Sequence, residues 1–235
     1  MTDLNDRLVA ELIDAVKKLL RREAAERLRE LYLVGDIDKD VARHLIERMR
    51  ELANESLRPI TIYLNTAGGN VTDGLAIHDA VREIVSRGIE VTVVVQGMAY
   101  SMGSVVLQAA SEGRRLAFPH SWIMIHEPAK WAGWQSTTAA AQHLDRLRQM
   151  QAQIYQILAT RSGRPLRQII RDTKRTDFYL DARRALAYGL IDAIVESGQQ
   201  PSTLVAPLPA ATTRESGGRV EMPAQEAARV NPDAS

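Results

Sequence analysis

The sequence predicts an α/β protein built on a largely parallel sheet. Two observations carry the prediction: short β-branched runs alternate with stretches of helical period, and glycine-bearing segments stand where strands give way to helices. With 235 residues, 45% hydrophobic and 25% charged, the chain also has the apolar surface to bury a real core. In order, residues 30–34 read as a short strand and 39–54 as a helix. A compact β-branched run at 60–64 follows, and the spacing predicts a helix over 71–86. Asn70, with Asp73 three residues on, has the form of a helix start. Residues 89–96 (Ile-Glu-Val-Thr-Val-Val-Val-Gln) form a strand signal, with small residues turning into a helix from about Ser101. Short strands are expected at 115–118 and 122–126, and a long helix over 137–161.

The two ends differ from this middle. Leu4, Leu8, Val9, Leu12, Ile13, Val16, Leu19 and Leu20 recur at helical spacing, so residues 1–27 read as an amphipathic helix packed on its own domain or on a partner subunit. Acidic Asp3, Asp6, Glu11 and Asp14 dilute its basic face and disfavour a membrane-surface role. Five of the nine prolines fall within 197–235, which has no aromatic residue and too little apolar surface to offset the entropy of ordering. That stretch is expected to be a flexible tail, leaving a body over 28–196.

Composition excludes several kinds of chemistry. No cysteine is present, so disulfides, thiolate metal sites and cysteine nucleophiles are out. The 30 basic residues against 29 acidic ones give a net charge of +1, with no general attraction to nucleic acid. The opening Met1-Thr2-Asp3-Leu4-Asn5-Asp6 has neither the basic start nor the apolar core of a signal peptide, and no apolar run approaches a membrane span. A cytoplasmic protein without membrane contact is expected.

Three strand-to-helix handovers can carry chemistry, and in such sheets sites gather at the carboxyl ends of strands. Asn65-Thr66-Ala67-Gly68-Gly69-Asn70 matches no phosphate-binding or dinucleotide fingerprint; alone it reads as a tight turn. In Gln96-Gly97-Met98-Ala99-Tyr100-Ser101-Met102-Gly103-Ser104, Ser101 is either a helix N-cap or a nucleophile at a strained elbow with backbone N–H groups nearby. The segment is not G-x-S-x-G, which disfavours an α/β-hydrolase. In Trp122-Ile123-Met124-Ile125-His126-Glu127-Pro128, His126 is a loop residue or a general base within reach of a serine on another strand. His126-Glu127 does not continue as H-E-x-x-H, so no metal is assigned. His44, His78 and His143 fall in helical patterns as surface candidates, and His120 in a turn.

Taken together and in order, Asn-Thr-Ala-Gly-Gly, Tyr-Ser-Met-Gly-Ser and Met-Ile-His-Glu-Pro resemble the ClpP family, the proteolytic subunit of the Clp protease. The similarity runs from about Leu31 to Glu196 and includes Arg171-Asp172-Thr173 and Ala187-Tyr188-Gly189-Leu190-Ile191-Asp192. The resemblance implies a spiral of ββα units, related to the crotonase fold, with a protruding long helix. It implies a Ser-His-Asp protease: Ser101 as nucleophile, His126 as base, and the backbone N–H groups of Gly69 and Met102 as oxyanion hole, without cofactor or metal. For the acid, alignment from the downstream Phe178-Tyr179 gives Asp177. Alignment from upstream leaves a threonine there, with Asp172 or Asp181 as fallbacks; Asp177 is preferred. The resemblance further implies unfolded polypeptides as substrates, two stacked seven-membered rings that meet through the helix at 137–161, and an AAA+ unfoldase as partner.

The chain departs from the family pattern in several places. A helix is expected over 1–27 where the family has a pore loop, and Tyr100 replaces a small residue beside the serine. Three extra residues fall near 86–90, one extra residue precedes Asp177, and Trp131 and Trp134 occupy a normally small, Gly-rich stretch. Two other readings stand beside the protease: a catalytically silent ring subunit, motivated by these departures, and a crotonase-like enzyme acting on acyl-CoA, motivated by the shared fold.

Overall fold

The structure is a computed structural model that describes residues 12, 13, 16, 17, 29–127, 137–201 and 204. Its strands are β1 (Glu30–Val34), β2 (Ile60–Thr66), β3 (Val91–Tyr100), β4 (Arg115–Ala117), β5 (Trp122–Ile125), β6 (Phe178–Asp181) and β7 (Ala193–Ile194). Its helices are α1 (Lys39–Glu55), α2 (Val71–Ser86), α3 (Met102–Leu107), α4 (Thr137–Ser162), α5 (Leu166–Thr173) and α6 (Ala182–Tyr188). The sheet runs β1-β2-β3-β4-β7, with β5 paired to β3 and β6 to β5. Every pairing is parallel except β5–β6. The expected α/β class and mostly parallel sheet are therefore what the chain forms.

β3 is the hinge of the architecture. Its first half, Val93–Val95, pairs with β4, whereas Met98–Tyr100 pairs with β5. One strand can serve two neighbours in this way only if it changes direction between them. It does so at Gln96-Gly97, where Gly97 takes φ +105 and the β2–β3 register shifts. A Cβ at Gly97 would lie 2.7 Å from Asn65 Oδ1, so the bend needs glycine. The strand expected over 89–96 thus begins at Val91 and extends to Tyr100, and the turn expected before Ser101 is extended strand. Pairing supplied by β5 makes these small residues strand, against their low propensity.

The core lies between the sheet and the helices, with β3 fully buried over Val91–Val95 and every residue of α3 buried. α1 and α2 start where the sequence indicates: Asp38 accepts from the Val41 N–H, and Asn70 accepts from the Thr72 and Asp73 N–H groups. α4 spans 26 residues, but the side chains it buries, Ile154, Tyr155, Leu158 and Ala159, lie in its C-terminal part. Among its preceding described side chains none is buried, as fits the protruding helix that the resemblance implies. Arg115 ties the C-terminal segment in, with Asp192 Oδ1 2.5 Å from its Nη2 and further bonds to Gln108, Arg161 and Gly189.

α5, β6, α6 and β7 were not anticipated individually. They are two to eight residues long, too short for a period to emerge. His78, expected at the surface, is 9% exposed, because α2 presents that face to its neighbours. Of the helix expected over 1–27, residues 12, 13, 16 and 17 are described; they are helical, with Leu12, Ile13 and Val16 exposed, and the remainder lies outside the described residues. Of the expected tail over 197–235, only 197–201 and 204 are described. Pro128, Trp131 and Trp134 also lie outside them. Among the described residues no helix is long and apolar enough to cross a membrane.

Candidate active site

Ser101 occupies the sharp joint between β3 and α3 at φ 52, ψ −120, a conformation that costs a non-glycine residue on the order of 1–3 kcal/mol. Its backbone is held on both sides. The Ser101 N–H donates to Met124 O at 3.0 Å, and its carbonyl accepts from the Ser104 N–H at 3.0 Å and the Ser104 hydroxyl at 2.6 Å. As the helix N-cap, Ser101 makes no side-chain capping bond. The hydroxyl instead lies 2.8 Å from His126 Nε2.

Room for this joint comes from glycine. A Cβ on Gly68 would fall 2.6 Å from Ser101 Cβ and 2.8 Å from Tyr100 O, and one on Gly103 would meet Thr66 Cγ2 at 2.6 Å. The Gly68-Gly69 segment is therefore more than a tight turn: it is a backbone surface pressed against the serine. Ile37 fixes it as a one-residue parallel bridge, donating its N–H to Gly68 O at 2.7 Å and accepting from the Asn70 N–H at 2.8 Å. That pattern occupies the groups flanking Gly69 and turns the Gly69 N–H toward the opposite side. The Met102 N–H begins α3 and has no acceptor within its own helix. Gly69, Met102, Ser101 and His126 all line one small cavity of about 90 Å³, closed by apolar Val71, Ile125, Ile154 and Leu158.

His126 follows the last residue of β5, and its side chain is 27% exposed. Its Nδ1 lies 3.2 Å from Asp177 Oδ1. The tautomer that serves both neighbours carries its proton on Nδ1, donated to Asp177, and accepts from the Ser101 hydroxyl at Nε2. The other two aspartates are engaged elsewhere: Asp172 accepts from the Tyr188 hydroxyl at 2.8 Å, and Asp181 caps α6 through the Arg184 N–H at 2.8 Å. The structure thus brings Ser101, His126 and Asp177 into one hydrogen-bonded line. Among the described residues no group of three or more His, Asp or Glu side chains is placed to hold a metal ion.

A serine bonded to a histidine that is bonded to a carboxylate, beside free backbone N–H groups, can perform acyl transfer. A family model described as Clp protease matches residues 13–198. The chain belongs to the Clp protease family. It is 37% identical over 189 residues to the ATP-dependent Clp protease proteolytic subunit of Oltmannsiellopsis viridis, covering 80% of this chain and 91% of that protein. It is also 37% identical over 175 residues to proteolytic subunit 3 of Synechococcus sp. (strain CC9902), covering 74% and 84%, respectively. Proteolytic subunit 1 of Gloeobacter violaceus shares 37% over 179 residues, with 76% and 87% covered. The protein is a Clp-type serine endopeptidase.

Ile37, Thr66 and Ser104 also build the site and were not singled out from sequence. Thr66 Oγ1 accepts the Gly68 N–H at 3.0 Å. The signal was faint: a Gly-Gly after a strand needs something to hold it, but only the fold shows that Ile37 does.

Proposed function

We propose that Ser101, His126 and Asp177 form the catalytic triad, with the Gly69 and Met102 N–H groups as oxyanion hole, and that the substrate is unfolded polypeptide. Ser101 Oγ attacks the scissile carbonyl as its proton passes to His126 Nε2. Asp177 keeps the imidazole in the productive tautomer and stabilises the imidazolium without taking the proton. The tetrahedral oxygen accepts from the two N–H groups, each such donor being worth roughly 3 kcal/mol in the transition state. His126 then protonates the leaving amine, and water attacks the acyl-enzyme by the same route in reverse. The observation that carries this reading is the unbroken contact line, 2.8 Å from Ser101 to His126 and 3.2 Å from His126 to Asp177. It also favours an active subunit over a silent one.

The catalytic body is residues 28–196, preceded by an amphipathic helix over 1–27 and followed by a tail over 197–235, in a cytoplasmic protein. Subunits assemble as two stacked heptameric rings that meet through α4; the largely unpacked first turns of that helix support this. The relatives are named ATP-dependent, which supports an AAA+ unfoldase as partner. A fluorophosphonate probe should label the assembled wild-type protein and fail on Ser101→Ala. Labelling that persists in the alanine variant sinks the triad. Native mass spectrometry should find seven- or fourteen-membered assemblies, and a stable monomer overturns the ring.

A further inference from the structure

Two tyrosines beside the site have no part in the chemistry above. Tyr100 directly precedes Ser101, and Tyr179 follows Asp177 by two residues. In the sheet Tyr100 is opposite Met124 of β5, and Met124 is opposite Tyr179 of β6. The three side chains therefore form one row on one face, across the strands that carry nucleophile, base and acid. Adjacent strands lie roughly 4.8 Å apart, which puts about 9.6 Å between the backbones of Tyr100 and Tyr179. Their ring centroids are only 5.4 Å apart, at an interplanar angle of 86°. The rings lean toward each other above Met124, which is 6% exposed, and meet edge to face, the arrangement that aromatic quadrupoles favour.

Asp177 needs such support. It leaves a turn in which Arg175 has φ 59, its side chain is 51% exposed, and among the described residues its carboxylate has His126 as hydrogen-bond partner. Its position is inherited from β6, a four-residue strand bonded on one side to β5. The two residues after Asp177 grip opposite faces of that strand. Phe178 packs against Tyr188 at 5.4 Å, and Tyr179 packs against Tyr100.

We infer that Tyr100 and Tyr179 are positioning residues whose ring contact ties the acid strand to the nucleophile strand and so sets the Asp177–His126 hydrogen bond. The inference rests on the triad proposed above. It is tested by steady-state kinetics of the assembled full-length protein on a fluorogenic peptide. Tyr179→Ala should lower kcat about tenfold, since small misplacements of catalytic groups are costly, with KM within about twofold. Tyr100→Ala should do the same. Tyr179→Phe should restore kcat, because the ring makes the contact and the hydroxyl does not. In an Asp177→Asn background, Tyr179→Ala should have no further effect on kcat, a non-additivity that a general loss of stability would not produce. An unchanged kcat in Tyr179→Ala, failure of Tyr179→Phe to rescue, or an equal further fall in the Asp177→Asn background overturns the inference. Should Tyr179→Ala lose its fold by circular dichroism, Tyr179→Leu carries the same expectations. Turnover surviving Ser101→Ala would refute the triad itself; turnover lost there but unchanged in the tyrosine variants refutes the brace alone.

Discussion

The proposed nucleophile and the proposed acid flank the same histidine, yet they are held in opposite ways. Ser101 caps a helix whose residues are all buried, with its backbone bonded on both sides and Gly68 so close that a Cβ there would collide with it. Asp177 stands on a half-exposed turn and depends on a short edge strand. The serine is over-determined because its backbone conformation is strained and would relax without that packing. The acid needs no strained backbone; it needs a direction. Damage near Ser101 should therefore act on folding and catalysis together, and damage near Asp177 on catalysis first.

Asp177→Asn gives the sharpest form of that contrast. The amide should leave His126 wrongly oriented or in the wrong tautomer and lower kcat by roughly 10⁴-fold, while the melting temperature stays within about a degree, since little buried structure is lost. A large melting shift by calorimetry would make the acid part of the packing and erase the contrast. Gly69→Ala should do the reverse. Its φ is +147, and a Cβ would collide with Ile37 O and lie 2.7 Å from Ile37 N, backbone atoms that cannot move aside. A loss of about 3–4 kcal/mol is expected, seen as a fall of roughly 10 °C in melting temperature, together with loss of fluorophosphonate labelling. A stable, fully labelled Gly69→Ala protein would break the argument.

Tyr188→Phe probes the support behind the acid. The variant removes the 2.8 Å bond from the Tyr188 hydroxyl to Asp172 but keeps the ring against Phe178. Stability should fall by about 1–2 kcal/mol in urea unfolding, with kcat nearly unchanged. A kcat loss larger than the stability loss would place the hydroxyl, and not the ring, in control of β6. The smallest effect is expected at His78, on the nucleophile side of the body. Burial holds its pKa below the ordinary value; Arg82 and Arg161 add to that, while Asp79 opposes it. The folded state thus resists a proton that the unfolded chain accepts below about pH 6.5. Stability should decline as pH falls through that value and level off below the folded-state pKa. His78→Gln should flatten this slope in unfolding curves between pH 5 and 8, and an unaltered slope would assign the acid sensitivity elsewhere.

How far the sequence could be read follows the same division. The nucleophile side was legible because most of its elements are long enough to show a period, Asn70 marks a helix start, and Gly68-Gly69 stands directly after a strand. Even there β3 was cut short at Gln96, since the strand character of Gly97–Tyr100 is supplied by pairing with Trp122–Met124 and not by local propensity. The acid side was harder. Counting from upstream or downstream of the extra residue gave different candidates, and only the adjacent Phe178-Tyr179 favoured Asp177 over Asp172 or Asp181. The β5–β6 register places Phe178 opposite Ile125 and so sets Asp177 next to His126, the contact on which the proposed triad rests. His78 was misread because a helix that packs on more than one neighbour buries residues outside its main apolar stripe.

The bridge between Ile37 and Gly69 and the pairing of β6 with β5 draw the site from widely separated parts of the chain. During synthesis the N-terminal clamp, the glycines, the serine and the histidine leave the ribosome well before the strand that orients Asp177. On the proposed triad, a growing chain carries a serine that lacks its acid until the segment bearing Asp177 docks on β5.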